Sequence, residues 1–192
     1  MTANADDPAV LRAEIARLNA DLVAAERRIA ELEARASIDP LTDVLNRRGF
    51  ERELARALAY LARYGGSAAL VYIDLDSFKA VNDRHGHAAG DDLLREVGRA
   101  LAANVRAADA VGRLGGDEFA GLLWNLSEAQ AHAKARVLEG VVEAVGIGGG
   151  AHRIAVGASA GAVALAPAMT PAALIEAADK AMYARKAERR GR

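Results

Sequence analysis

The sequence predicts an α+β fold: a two-layer sandwich on a central, mostly antiparallel sheet, with an N-terminal coiled-coil helix in front of it. Three observations carry this reading. Apolar residues recur at alternating spacings of four and three through the first 36 positions. Beyond Pro40, short β-rich apolar runs alternate with longer helical stretches. One pair of apolar runs is joined by Gly115-Gly116, as in a hairpin.

The first helix is expected over 8–36, with Pro8 near its start and no further Gly or Pro until Pro40. Leu11, Ile15, Leu18, Leu22, Ala25, Ile29, Leu32 and Ala36 occupy the a and d positions of a heptad repeat. A helix folded back on its own domain usually carries a wider apolar stripe, so the narrow seam favours a parallel dimer. In that dimer Arg28 would meet Glu33 of the second copy favourably, and Asp21 would meet Glu26 unfavourably. Residues 1–7 read as a disordered N-terminus, 8–36 as the dimerisation helix, and 37–190 as the main domain.

The helix ends at Ser37-Ile38-Asp39-Pro40, because the residue before proline avoids helical angles. A helix over 47–63 opens on Asn46 and breaks at Gly65-Gly66. A strand follows at 68–74, a helix at 88–104, a hairpin at 110–124 and a helix at 127–145. Residues 146–150 form a glycine-rich loop. A strand at 152–164 leads to a last helix at 170–187, with Thr170 as N-cap and Pro171 in first position. The order βαββαβ with flanking helices gives the α+β sandwich.

Composition narrows the function classes. Of 192 residues, 52% are hydrophobic and 27% charged, a globular balance rather than a disordered one. There is no cysteine, which excludes disulfides, thiolate metal sites and cysteine nucleophiles. The formal net charge of −1 gives no basic field for nucleic acid or an anionic membrane. No basic start precedes an apolar core at the N-terminus, and no apolar run approaches the roughly 20 residues that span a bilayer. The default expectation is therefore a cytoplasmic location.

Chemistry concentrates in two places. Asp74 and Asp76 close the apolar strand Ala68–Asp74, within Ile73-Asp74-Leu75-Asp76-Ser77-Phe78-Lys79. Alone this is weak, since many strands end on acids that face water. Gly115-Gly116-Asp117-Glu118-Phe119 places two more acids at a hairpin tip. If the hairpin lies beside the first strand, Asp74 and Asp117 converge, and a hard cation such as Mg²⁺ or Mn²⁺ would relieve their repulsion. Mg²⁺ held by one or two carboxylates commonly completes its shell with phosphate oxygens and water. That makes nucleoside triphosphate chemistry the natural expectation.

Arg113-Leu114-Gly115-Gly116-Asp117-Glu118-Phe119 resembles the signature of the GGDEF family of diguanylate cyclases. Asp39-Pro40-Leu41-Thr42-Asp43-Val44-Leu45-Asn46-Arg47 is similar to the family's opening motif. Ile73 to Lys79, Val81-Asn82-Asp83, Gly86-His87 and Gly90-Asp91 follow its central run. The resemblance covers about 39–190 and implies a palm-like, nucleotidyl-cyclase sheet. It also implies a homodimer that condenses two GTP into cyclic dimeric GMP, releasing pyrophosphate.

By position, the resemblance makes Asp74 and Asp117 the metal carboxylates, with the Leu75 carbonyl as a further ligand. Asn82 and Asp91 become the guanine-binding pair. Phe78, Lys79, Lys186 and Arg190 fall where phosphates are met, and Gly115 and Gly116 where the backbone approaches the nucleotide. Glu118 falls at the ribose 3′-hydroxyl. Arg106 and Asp109 match the family's inhibitory product site, although Arg and Asp three apart are otherwise an ordinary solvated ion pair.

Two departures stand out. Asp43 replaces a common Gly, and Arg189-Arg190-Gly191 replaces Gly-Arg-Asn, so that either Arg189 or Arg190 could contact phosphate. His85, His87, Trp124 and Tyr183 read as packing residues, and His132 and His152 as surface ones. The rival readings are a non-catalytic module that binds GTP or the cyclic product, and an interaction protein whose helix is the functional part. Control by a regulatory protein docking on the stalk, by expression or by product alone stays open.

Overall fold

The computed structural model describes residues 8–35, 37–148 and 153–190. Residues 1–7, Ala36 and His152 lie outside these. So do the side chains of Ala25, Arg28, Ile29 and Glu33, and with them the Arg28–Glu33 pairing. The chain divides after Ala36 into two units.

The first unit is one helix, α1 (Pro8–Arg35). Its 28 residues give a rod of about 42 Å. Arg17 bonds Glu14 and Asp21 along the helix surface, so Asp21 has a partner within its own chain. Leu11, Ile15, Leu18, Leu22 and Leu32 are all about half exposed.

In the second unit the elements run β1 (Leu45–Asn46), α2 (Arg47–Tyr64), β2 (Ala68–Asp76), α3 (Phe78–His85), α4 (His87–Ala103), β3 (Ala110–Gly115), β4 (Glu118–Trp124), α5 (Glu128–Ala144), β5 (Gly157–Ala164) and α6 (Pro171–Arg190). The sheet order is β1-β3-β4-β2-β5. Only the two-residue β1 pairs in parallel, with β3; the other pairings are antiparallel. The sheet is thus the mostly antiparallel one expected.

Local chemistry explains the boundaries. Asn46 caps α2 by accepting the Gly49 N–H at 2.8 Å. Gly65 closes α2 with φ +73°, where its N–H reaches the Leu61 carbonyl. Ser127 and Gln130 form a reciprocal capping box at α5, and Thr170 accepts from Ala173 at α6.

β2 is an interior strand, between β4 and β5, and is buried on both faces. Ala69, Val71, Ile73 and Leu75 join the core under α4 and α5. Leu70 and Tyr72 join a second core under α2 and α6. Because side chains alternate along a strand, Asp74 and Asp76 share the face of Tyr72. On β5, Gly161 lets α6 come so close that a Cβ there would stand 2.1 Å from the Met182 nitrogen.

Several expectations need correction. α3 and β1 were not anticipated: α3 is a short helix of 8 residues, a little over two turns, between motif residues, and β1 is only two residues long. β5 begins at Gly157 instead of 152; ahead of it, Ile154 makes only an isolated bridge to Ile147. His85 and His87 are exposed rather than packed, and Tyr183, read as core or rim packing, is 69% exposed and so outside the core. No described helix is long and apolar enough to cross a membrane.

Candidate active site

The site lies where β2 ends beside the β3–β4 turn. Asp74 pairs in register with Glu118 on β4 and with Ser159 on β5. Directly opposed residues of an antiparallel pair put their side chains on the same face, so the Asp74 and Glu118 carboxylates both face α2 and α6. The Leu75 N–H donates to the Asp117 carbonyl at 3.2 Å, which ties the turn to the strand end. Asp74 and Asp117 are thereby brought together.

Electrostatics records the crowding. Burial pushes the Asp74 carboxyl up, opposed by Lys186, and the charges on Asp117 and Asp76 push it further up. Lys186 of α6 bonds Asp74 and stands 3.8 Å from Asp76. Burial and the neighbouring Glu118 carboxylate push the Tyr72 hydroxyl well above its ordinary range. Tyr72 therefore stays protonated and donates to Glu118. Arg47 approaches Glu118 to 3.9 Å, while its Nε donates to the Leu114 carbonyl at 2.8 Å.

The turn is clamped from outside. Arg113 donates twice to the Gly116 carbonyl, at 3.0 and 2.8 Å, and reaches Asp39 at 3.3 Å. Asp39 also accepts from the Thr42 N–H at 2.9 Å and the Thr42 hydroxyl at 2.7 Å. In the same loop Asp43 adopts φ +58°, a left-handed conformation that Asp tolerates better than most residues. The glycines have different tasks. A Cβ on Gly115 would come within 3.0 Å of a Glu118 carboxylate oxygen, whereas one on Gly116 would enter open space. Neither has positive φ; room for the Glu118 carboxylate explains Gly115, while nothing among the described residues demands a glycine at 116.

Asn82 and Lys79 lie on α3 and Asp91 on α4. Gly90 sets the approach of these helices, since a Cβ there would stand 1.9 Å from the Asn82 side-chain oxygen. Asn82 and Asp91 are both half-buried, Lys79 is exposed and Phe78 is buried. Arg190 is exposed at the end of α6.

Arg106 and Asp109 form no ion pair. Asp109 instead accepts from the Arg106 N–H and the Trp124 N–H, each at 2.9 Å. The exposed Arg106 lines a groove of 530 Å³ with Ile38, Asp43 and Glu53, and a smaller 100 Å³ depression with Trp124 and Lys134.

Could this site hold a metal ion? Among the described residues no group of three or more His, Cys, Asp or Glu is arranged as a complete metal cage. Two converging carboxylates with a raised Asp74 pKa suit a hard divalent cation that takes its remaining ligands from a bound phosphate. The donor set fits that group.

Sequence reasoning missed the acid–base network behind the site. Glu139 is only 3% exposed and accepts from Arg185 at 2.9 and 3.0 Å and from Arg189 at 3.3 Å. Burial works against its charge, but Arg185, the Ala160 N–H and Arg189 outweigh it and hold the carboxyl below its ordinary range. The signal was present: Glu139 interrupts the buried stripe Ala131, Ala135, Leu138, Val142.

The family model for the diguanylate cyclase GGDEF domain matches residues 36–192. The chain belongs to the GGDEF-domain family of diguanylate cyclases. Diguanylate cyclase DgcS of Shewanella oneidensis is 35% identical over 160 residues, covering 83% of this chain and 53% of that protein. This GGDEF chain thus spans about half the length of that relative. A sensory-box GGDEF protein of Caulobacter crescentus has a similar structure, with TM-score 0.73 and 36% identity over 80% of this chain and 99% of that one. The coiled coil and GGDEF domain of DgcB from the same organism, in complex with c-di-GMP, gives TM-score 0.71 and 27% identity. It covers 93% of this chain and 95% of that one. Members of the family use divalent metal ions.

The Asp39 clamp has a measurable consequence. Burial opposes its ionisation, but bonds from Thr42 and Arg113 outweigh this and hold its pKa below the ordinary range. Such a carboxyl contributes stability that is present above its unfolded value, about pH 4, and is lost as pH falls through the folded value. Asp39→Asn is expected to lower stability by about 1–2 kcal/mol at neutral pH. The difference should close below about pH 4, as read by urea unfolding at each pH. A gap that persists to pH 2.5 would show that the charge on Asp39 is not what matters.

Proposed function

We propose that the domain is a diguanylate cyclase. The 3′-oxygen of one GTP bonds to the α-phosphorus of a second, the bond to pyrophosphate breaks, and a second such step closes cyclic dimeric GMP. The observation that carries this is the convergence of Asp74, Asp117 and Glu118, with the Lys186 cation against them, at one end of β2.

Each residue has a role by its place. The carboxylates of Asp74 and Asp117, with the Leu75 carbonyl, would hold Mg²⁺ or Mn²⁺. When bound, that ion supplies charge neutralisation on the triphosphate and favours the 3′-alkoxide. Glu118, steadied by Tyr72 and approached by Arg47, faces the 3′-hydroxyl and accepts its proton. Asp91 accepts from guanine N1–H and the exocyclic amine together, with Asn82 completing the edge; adenine lacks that pair of donors. Phe78 and Lys79, at the N-terminus of α3, meet the phosphates through backbone amides and an ammonium. Lys186 stands beside the same phosphates. Arg190 is the arginine available to phosphate, because Arg189 is engaged by Glu139 and Glu143. Gly115 makes room for Glu118, and the open space at Gly116 admits the nucleotide.

The product joins two GTP molecules, so two loaded domains must face each other. The exposed leucine seam of α1 supports a parallel coiled-coil homodimer that supplies this pairing at high effective concentration. Arg106, beside its groove, is proposed to bind the phosphate of cyclic dimeric GMP, with Asp109 shaping the turn. Product held there would keep the domains apart. A regulatory protein that docks on the stalk and a cytoplasmic location complete the reading.

Purified protein with GTP and Mg²⁺ is expected to yield cyclic dimeric GMP, and none of the adenine counterpart from ATP. Glu118→Gln keeps the shape but removes the charge, and should lower kcat by on the order of a hundredfold. A variant within about threefold of wild type would contradict its role. GTP bound without turnover by the wild type would select the non-catalytic module instead.

Leu22→Lys buries a charge in the seam. The variant should sediment as a monomer at micromolar concentration, with specific activity rising as protein concentration rises. A wild type that is monomeric yet fully active would remove the stalk from the mechanism.

Arg106→Ala should leave the initial rate near normal while progress curves no longer level off early. A charge-assisted contact of about 1.5–3 kcal/mol corresponds to a roughly tenfold to hundredfold loss of product affinity. Calorimetric titration of cyclic dimeric GMP reads it, and equal affinities would leave the motif without a feedback role.

A further inference from the structure

Glu139 is the buried charged side chain, among the described residues, that the proposed chemistry does not use. It belongs to α5 but grips β5 through the Ala160 N–H at 2.9 Å, and α6 through Arg185 and Arg189. Those two arginines are one helical turn apart, and Lys186 lies between them in sequence. Arg189 continues to Glu143 and, at 3.7 Å, to Asp76. Asp76 is itself fixed by the Ser159 hydroxyl at 3.0 Å and stands 3.8 Å from Lys186. A chain of charges thus runs from Glu139 to the Lys186–Asp74 contact.

The packing explains why such a chain is needed. α6 meets β5 through small residues, with Gly161 against the backbone of residues 178–182 and Ala178 fully buried. Small surfaces allow a close approach but offer shallow ridges to fix how far one element is slid or turned on the other. Lysine has a flexible four-carbon stem, so its ammonium is only as well placed as its backbone. A two-point bond from a buried carboxylate to a planar guanidinium fixes both distance and orientation.

We propose that Glu139 is a positioning residue for the triphosphate: through Arg185 and Arg189 it sets the register of α6 on β5, and so places Lys186 at the phosphate end of the site. This deepens the reading of the domain as a GTP-binding cyclase and rests on it.

The test uses the full chain and two probes. One is a GTP analogue with a methylene bridge between the α- and β-phosphorus, with Mg²⁺; the other is guanosine, followed by chemical-shift titration. Both are bound to wild type, Glu139→Gln and the double variant Glu139→Gln/Arg185→Gln. The single variant leaves two half-buried guanidinium groups facing a neutral amide and is the one at risk of not folding. The double variant replaces both partners, which costs less, and carries the same comparison.

In each folded variant the analogue should bind about tenfold more weakly, the scale of one charge-assisted phosphate contact, with guanosine affinity unchanged. Glu139→Asp, which keeps the charge, should recover part of the loss. Equal losses for both probes would mark Glu139 as a merely structural residue, and no loss for either would remove it from the site; both overturn the proposal. A wild type that binds neither probe overturns the nucleotide reading itself, a result distinct from the other two.

Discussion

Mutual repulsion of carboxylates at the end of one strand is the constraint around which this domain is arranged. Asp74 and Glu118 are direct cross-strand neighbours, Asp117 is tied to Leu75 one residue further on, and Asp76 follows on the same face as Asp74. Like charges placed directly opposite destabilise a sheet, and burial raises the cost for Asp74. The fold answers with cations from two helices: Arg47 at the start of α2, and Lys186 and Arg189 on α6. Four carboxylates still face three cations here, and burial above all, then the charges on Asp117 and Asp76, keeps the Asp74 carboxyl raised against Lys186. Negative charge left over at a strand end suits the domain to take up a divalent cation together with a phosphate group.

Strand order makes this crowding possible. With β2 between β4 and β5, residues far apart in sequence become neighbours in register: Asp74 beside Glu118 on one side and Ser159 on the other. The strand is buried on both faces, so its end cannot shift without disturbing two cores. The hairpin tip would be the softer partner, as turns usually are. Arg113 stiffens it by bonding the Gly116 carbonyl while pairing with Asp39 in the loop before β1. The opening and signature motifs are therefore one mechanical unit, although most of the domain's first half separates them in sequence.

Much of this was legible in the sequence, for identifiable reasons. The helix boundaries at Asn46, Gly65 and Thr170 follow from capping chemistry that is local and strong. The hairpin followed from a glycine pair between apolar runs. α3 was not legible, because only Phe78 of its residues is buried and its motif letters drew attention to chemistry instead of periodicity. Two-residue β1 carries no pattern of its own; Arg47 and Phe50, which follow it on α2, pack against β3 beside it. The Glu139 network hid in plain view, since an acid in an alanine-rich helix looks solvated until the neighbouring helix supplies its arginines. The alternative of an ordinary Arg106–Asp109 ion pair is not what forms, because sequence spacing cannot say whether a carboxylate will prefer a guanidinium or two backbone amides.

That last point changes how the Arg106–Asp109 motif can be interrogated. Asp109 holds the N–H of Arg106 and the N–H of Trp124, so it joins the turn after α4 to the end of β4. Removing its carboxylate would leave two backbone donors without their acceptor and let the turn reshape. Any loss of ligand binding that followed would report the turn as much as the ligand. Arg106 is different: its backbone makes the turn, while its guanidinium is exposed beside the groove and does not pair with Asp109. Its side chain can be shortened without loosening the turn. The two residues of one motif thus differ, Asp109 holding the turn together and Arg106 leaving its guanidinium exposed beside the groove, and only Arg106 can be changed to ask what the groove is for.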